Sequence, residues 1–445
     1  MRPRSALSIL PIIGVVFAAI NPTLVRAQGT WTPLAHEPPG ATIGLMILLP
    51  DGTVMGHDTS INWYRLTPDN RGSYVNGTWT TLAPMNESRE YFGSQVLTDG
   101  RLFVVGGEYG TGEQNAEVYD PATNIWTPVI VPSGLGKILF DDCETEMLPD
   151  GTVLISPKAA SSTAAYTLVF DPITNTISTA PVRIDAEEEE SWVKLPDNSI
   201  LQNDVSISER FIPSQNEWIY DSDPPVDIWA IGETGAALLL PNGKAFFLGA
   251  SGNTLLYTPS GNATPGTWSA GPVIPDGNVA SDAPAAMLVT GNMLCAFQPG
   301  PATDGISSST AFYEYDPVAN SFTNASNAPA SSATWDTGGI LMLDLPDGTV
   351  LVSYLEGNSL YVYTPSGAPI EAGKPSVASI TQNGDGSFHL VGTLLNGISA
   401  GAAYGDDAQM DTNRPLVRLT DSGGNVSYAR TYNWSSTGVA TGSAP

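Results

Sequence analysis

Between Tyr91 and Pro128 short apolar runs alternate with polar, turn-forming residues. One apolar run ends at Leu97, and Thr98-Asp99-Gly100 separates it from a second, Leu102 to Val105. A Gly106-Gly107 pair follows, then a loop, a third run from Ala116 to Tyr119, an Asp120-Pro121 corner and a last run carrying Trp126. Asp-Gly between two apolar runs predicts a hairpin with a mirror-image turn, which needs positive φ at its central residues. Four short antiparallel strands are the expected product, and such a unit is one blade of a propeller.

The hairpin recurs. It reads LPDGTV around Asp51, LTDGRL around Asp99, LPDGTV around Asp150, LPDNSI around Asp197 and LPNGKA around Asn242. It returns as VTGNML around Gly291 and LPDGTV around Asp347. Proline corners come after them, from Thr67-Pro68 to Thr364-Pro365, and fourth strands carry Trp79, Trp126, Ile177, Trp218, Trp268 and Phe322. The repeat length is close to the ~50 residues of kelch units. The stretch from Tyr91 to Pro128 resembles one.

Seven hairpins are matched by only six fourth strands. Gly29-Thr30-Trp31-Thr32-Pro33-Leu34 matches Gly77-Thr78-Trp79-Thr80-Thr81-Leu82, yet no hairpin precedes it. It is expected to pair with the strand around Tyr361-Val362-Tyr363, completing the seventh blade and removing the exposed edges of an open array. After Gly367 the repeat stops, and alternating segments from Ser387 to Leu394 and Leu416 to Leu419 suggest a small antiparallel sandwich. The expected fold is all-β: a seven-bladed kelch β-propeller over 28–368, then an immunoglobulin-like β-sandwich over 374–445. That last region is shorter than the ~100 residues usual for such a sandwich, so a less stable module is expected, either docked on the propeller or exposing an edge that pairs with another chain.

Composition narrows the partners. Charged residues are only 14% of the chain, while Gly (45) and Pro (36) are abundant, as a turn-rich β protein requires. Acidic residues outnumber basic ones 45 to 17, a net charge of −28. Such a surface repels nucleic acid and anionic lipid, which are bound mainly through Lys and Arg. Carbohydrates, proteins and cations remain. Residues 1–27 read as an export signal, with Arg2 and Arg4 ahead of an apolar run and Val25-Arg26-Ala27 at the cleavage position. A membrane anchor is the alternative, but the apolar run is short and interrupted by Pro11. The mature chain is therefore expected to be secreted or periplasmic, with no membrane span. Cys143 and Cys295 fall in blades that are not neighbours and are expected to be separate thiols.

A kelch propeller followed by such a domain resembles the galactose oxidase family of copper radical enzymes. The local match runs from Tyr404-Gly405 through Asp-Asp-Ala-Gln to Pro415-Leu416. The resemblance implies a C-terminal loop that brings a copper histidine to the axis. It also implies two propeller tyrosines, one followed directly by histidine, and a cysteine joined to one tyrosine. Carried over residue by residue, only the cysteine survives, at Cys143. The partner tyrosine falls at about Glu189, the Tyr-His pair near Gly338-Gly339 and the C-terminal histidine on Gln409. No Tyr-His dipeptide occurs, and the chain has three histidines, whereas copper(II) favours imidazole. Copper radical chemistry is therefore not expected. His36 and His57, with Glu37 or Asp58, would make a two-histidine metal site only if their loops converge. Two solvated loop histidines are the plainer reading, and His389 reads as structural.

The segments leading into each first strand converge on the axis, where propellers bind ligands. They carry Glu90 and Tyr91; Asp141, Asp142 and Glu144; Glu188, Glu189 and Trp192; Trp229 and Glu233; Asp282; and Trp335 with Asp336. An acidic, aromatic-lined mouth suits a sugar, or a cation such as calcium that takes several oxygen ligands. Solvated loop charge with aromatics packed between blades is the competing reading. No G-x-S-x-G elbow, H-E-x-x-H helix or phosphate loop is present. The function expected is that of an exported protein binding carbohydrate or protein, with no cofactor. The alternative is a carbohydrate-active hydrolase or lyase using axial carboxylates such as Asp141-Asp142.

Overall fold

The computed structural model describes residues 29–439 apart from 41, 113, 133–139, 141, 158–165, 186–189, 204–206, 303–308, 326 and 405–412. Its folding unit is the repeated hairpin. In the first blade Leu49 N–H donates to Thr53 O (2.7 Å) and Gly52 N–H to Leu49 O (2.9 Å). The same pair of bonds closes the hairpin at Leu97, Leu148, Leu195, Leu240, Leu288 and Leu345. Only the last loop residue has positive φ, from Gly52 at 74° to Gly151 at 87°, with Asn198 at 64° substituting in the fourth blade. The loop is thus a type I turn followed by a left-handed residue, and not the mirror-image turn expected from Asp-Gly. Proline favours this turn in five of the blades, where Pro50 and its equivalents occupy the first central position and the ring fixes negative φ; Thr98 and Val289 hold that position in the second and sixth blades and make the same turn.

Seven antiparallel blades follow around the ring, six of them four-stranded sheets and the sixth enlarged to six strands by two added segments. The second, Gly93–Val96, Leu102–Val105, Ala116–Asp120 and Ile125–Pro128, is typical in burying its two inner strands completely. Neighbouring blades bury aromatic faces against each other: Phe103 stacks on Phe170 at 4.2 Å between the second and third, and Phe246 on Tyr315 at 4.0 Å between the fifth and sixth. The ring closes as expected. Thr30–Pro33 pairs with Tyr361–Thr364, placing Trp31 opposite Tyr363, and the Trp31 ring lies 4.8 Å from Tyr363 and 4.7 Å from Phe312. Cys143 and Cys295 are both buried and form no disulfide.

Beyond the propeller, Ser376–Gln382 pairs with Phe388–Thr393, and Val417–Thr420 with Val426–Ala429. Among the described residues each hairpin pairs only within itself, so the sandwich expected over 374–445 is not assembled there. The second hairpin docks on the first blade, where Val426 N–H donates to Asn70 O (2.9 Å) and Arg71 Nη1 to Gly423 O (2.9 Å). Between the two hairpins the chain enters the propeller axis. Ala400 N–H donates to Leu239 O (2.9 Å), Ala402–Ala403 adds a strand inside Ala285–Met287 of the sixth blade, and Tyr404 ends the segment buried. Among the described residues no helix is long and apolar enough to cross a membrane.

Trp31→Ala is expected to lower propeller stability by about 2–4 kcal/mol, since it empties the contact between the closing strand and the sixth blade. Urea unfolding checks this, and a loss under ~0.5 kcal/mol would mean closure does not depend on that ring.

Candidate functional site

The residues preceding the first strands are forced into unusual backbone conformations. Tyr91 (φ 46°), Asp142 (φ 38°) and Asp282 (φ 44°) are all left-handed, a state that costs non-glycine residues on the order of 1–3 kcal/mol. Close packing of the blades is one cause. At Gly93 a Cβ would lie 2.4 Å from Cys143 O of the next blade, so the strand after Tyr91 has to press against its neighbour. The turns at the mouth swing their side chains toward the axis.

A cavity of about 230 Å³ opens there, lined by Glu90, Tyr91, Phe92, Tyr109, Gly338, Tyr404 and His57 among others. Backbone bonds join its walls. Glu108 N–H donates to Glu90 O (2.7 Å) and Glu90 N–H to Thr111 Oγ1 (3.0 Å), which swings Tyr109 over Tyr91. The two rings stand nearly perpendicular, at 83°, with centroids 6.1 Å apart. Tyr404 completes the set from the axial segment, 6.2 Å from Tyr91, with its hydroxyl donating to Gly338 O. Desolvation, the hydrogen bond and charge of Glu108, and the charges of Asp142 and Asp282 push the Tyr109 hydroxyl pKa up. Asp282 and Asp336 flank Gly338, each with a carboxyl oxygen within 3.6 Å of where its Cβ would stand.

Both basic groups in the wall are neutralised. Arg89 is fully buried; its Nη1 donates to Gly106 O (2.6 Å) and Asn115 O (3.0 Å), and its Nη2 pairs with Glu117 at 3.2 Å. His57 accepts from Thr59 N–H at Nδ1 (3.2 Å) and donates from Nε2 to Ser60 O (2.9 Å), packed against Trp63 and Phe92. Burial lowers its pKa to about 4, so the ring is neutral at pH 7.

The other expected site residues divide. Glu144, Trp192 and Trp335 are buried at 0%, 3% and 4% exposure and offer no surface to a ligand. Trp192 donates to Gln202 (3.3 Å), and Trp335 stacks on Tyr354 at 5.1 Å: these aromatics serve blade packing. Asp336 is held by Gly339 N–H (2.9 Å) and the Tyr354 hydroxyl (2.8 Å). Trp229 and Glu233 are half-buried on a tight turn between Ala230 and Glu233, in the segment leading to the fifth blade. Asp141, Glu188 and Glu189 lie outside the described residues. His36 is exposed with Nδ1 against Gly77 O (2.9 Å), so with His57 fully bonded the two make no site. Sequence reading missed Tyr109, which falls in the loop after Gly106-Gly107, and Tyr404, noted there only as a family match.

A kelch motif model matches residues 96–129. An F-box/kelch-repeat protein of Arabidopsis thaliana is 39% identical over 59 residues, 12% of this chain and 17% of that protein. Galactose oxidase of Gibberella zeae is 38% identical over 52 residues, 11% of this chain and 8% of that enzyme. The chain thus matches only a small part of either relative's length. A fungal alcohol oxidase solved in complex with copper superposes over 93% of this chain and 94% of its own, with a TM-score of 0.62 and 13% identity, which speaks for the fold alone. The donors here do not fit a copper centre. Of the three histidines, His57 has both nitrogens bonded, His36 is turned to Gly77, and His389 lies in the hairpin strand Phe388–Thr393 of the C-terminal region.

Acid should reveal the buried His57. Its pKa falls from 6.5 to about 4 on folding, so the unfolded chain binds the extra proton and stability present above pH 6.5 is lost as pH drops toward 4. The full effect is about 3 kcal/mol. His57→Gln is expected to reduce the fall in Tm between neutral and acid pH by at least ~2 °C, and an unchanged slope would contradict the neutral assignment.

Proposed function

The chain is a kelch-repeat propeller of galactose oxidase-like type, and we propose that it is an exported binding protein that holds a carbohydrate at its axial mouth. One observation carries this reading: Tyr91, Tyr109 and Tyr404 frame a recessed cavity of about 230 Å³ that also presents Glu90. Tyrosine combines an apolar face with a polar edge, as a sugar ring does, and a carboxylate accepts hydroxyl protons. Kelch propellers generally bind protein ligands; a small concave pocket favours a small ligand or a single residue of a chain. In this reading 1–27 directs export, 28–368 is the propeller, and 374–445 is an appended immunoglobulin-like module. Neither copper nor another cofactor takes part, and calcium is at most a structural ion.

Turnover by paired carboxylates fits less well. Glycoside hydrolysis needs one carboxyl free to exchange a proton across the bond from its partner. Of the pair beside Gly338, Asp336 is committed to Gly339 and Tyr354. A glycan array with the full exported chain, followed by titration calorimetry, is expected to find binding that Tyr109→Ala weakens about tenfold. Release of product from the array glycans would favour the hydrolase or lyase, and the absence of any glycan ligand would overturn the proposal.

A further inference from the structure

The same mouth specifies the charge of what it holds. Tyr91 and Tyr109 meet at 83° with centroids 6.1 Å apart, and Tyr404 stands 6.2 Å from Tyr91. A cation within ~6 Å of a ring centroid is attracted by the ring's electron-rich face, and a group lodged between such rings is within that reach of more than one. Glu90 is part of the wall, and the charges of Asp142 and Asp282 act on Tyr109. Among the described residues, the basic groups in the wall are offset. Arg89 is compensated by Glu117 and two carbonyls, and His57 is neutral. The chain as a whole carries −28, which concentrates cations near its surface.

We infer that the axial cavity selects a ligand bearing a protonated amine, held between Tyr91, Tyr109 and Tyr404 with Glu90 as counter-charge, and so takes an amino sugar in preference to its neutral counterpart. The sugar part of this statement rests on the function proposed above; the amine part rests on the cage itself. A neutral sugar gains only ring stacking and hydrogen bonds. An ammonium group gains in addition the attraction of the rings and of an unlike charge.

Calorimetric titration of the full exported chain with glucosamine, glucose, N-acetylglucosamine and choline tests it. Glucosamine is expected to bind about tenfold more tightly than glucose or N-acetylglucosamine, an advantage that shrinks at high salt. Glu90→Gln should reduce that ratio, Tyr109→Leu should reduce it too, and Tyr109→Phe should keep it. The salt dependence of the unmodified protein gives the same answer should Glu90→Gln fail to fold. Equal affinity for glucose and glucosamine overturns the inference and leaves the carbohydrate reading standing. Binding of choline as tight as that of glucosamine, without binding of glucose, upholds the amine cage and removes the carbohydrate reading. Binding of none of the four overturns both.

Discussion

The pairing of Thr30–Pro33 with Tyr361–Thr364 is the constraint on which the other features depend. A single blade is a small twisted sheet with two faces to cover, and it covers them only against neighbours. An open row of seven would leave the outer faces of the first and last blades in water. Closure gives each blade two neighbours and fixes the radius of the central space. That radius decides whether side chains from opposite blades can approach one another. Tyr91 of the second blade and Gly338 of the seventh share a cavity wall because the ring is shut at this circumference.

Much of the architecture was legible because it is written in local chemistry repeated seven times. The Leu-Pro-Asp-Gly hairpins, the proline corners and the tryptophan-bearing strands each have a mechanism within a few residues, and the orphan Gly29-Thr30-Trp31 segment exposed the closure. Turn type was misread because Asp-Gly also suits a longer loop in which only the glycine is left-handed, as at Thr98-Asp99-Gly100. The site was harder to read. Burial decides whether an acidic or aromatic residue ahead of a first strand faces the axis, and sequence position does not: Tyr91 lines the cavity, while Trp192 and Trp335, similarly placed, are packed into blades. Tyr109 reached the mouth through backbone bonds between Glu108, Thr111 and Glu90, which no pattern of side chains announces. The C-terminal hairpins carry alternation that is real, yet alternation fixes strands and not their assembly.

The mouth also illustrates how one fold serves different chemistry. The chain overlays a copper-bound alcohol oxidase along nearly all of its length, and Gly338 lines the wall near the position where the family resemblance implies a tyrosine followed by a histidine. Small residues there leave room, and Tyr404 donates its hydroxyl to the Gly338 carbonyl. Tyr91, Tyr109 and Tyr404 line that room with aromatic surface.

The axial segment has a consequence for how the molecule comes into being. Ala402–Ala403 pairs with Ala285–Ala286, more than a hundred residues earlier, and Tyr404 meets Tyr91 across most of the chain. Such distant contacts cost loop-closure entropy before they return any attraction, so they form late. A nascent chain can build its blades one after another as they emerge, but it has no finished cavity until its last segment threads the ring. The shape of this mouth is therefore a property of the chain through Tyr404, and a closed ring without the axial segment would lack one of its walls.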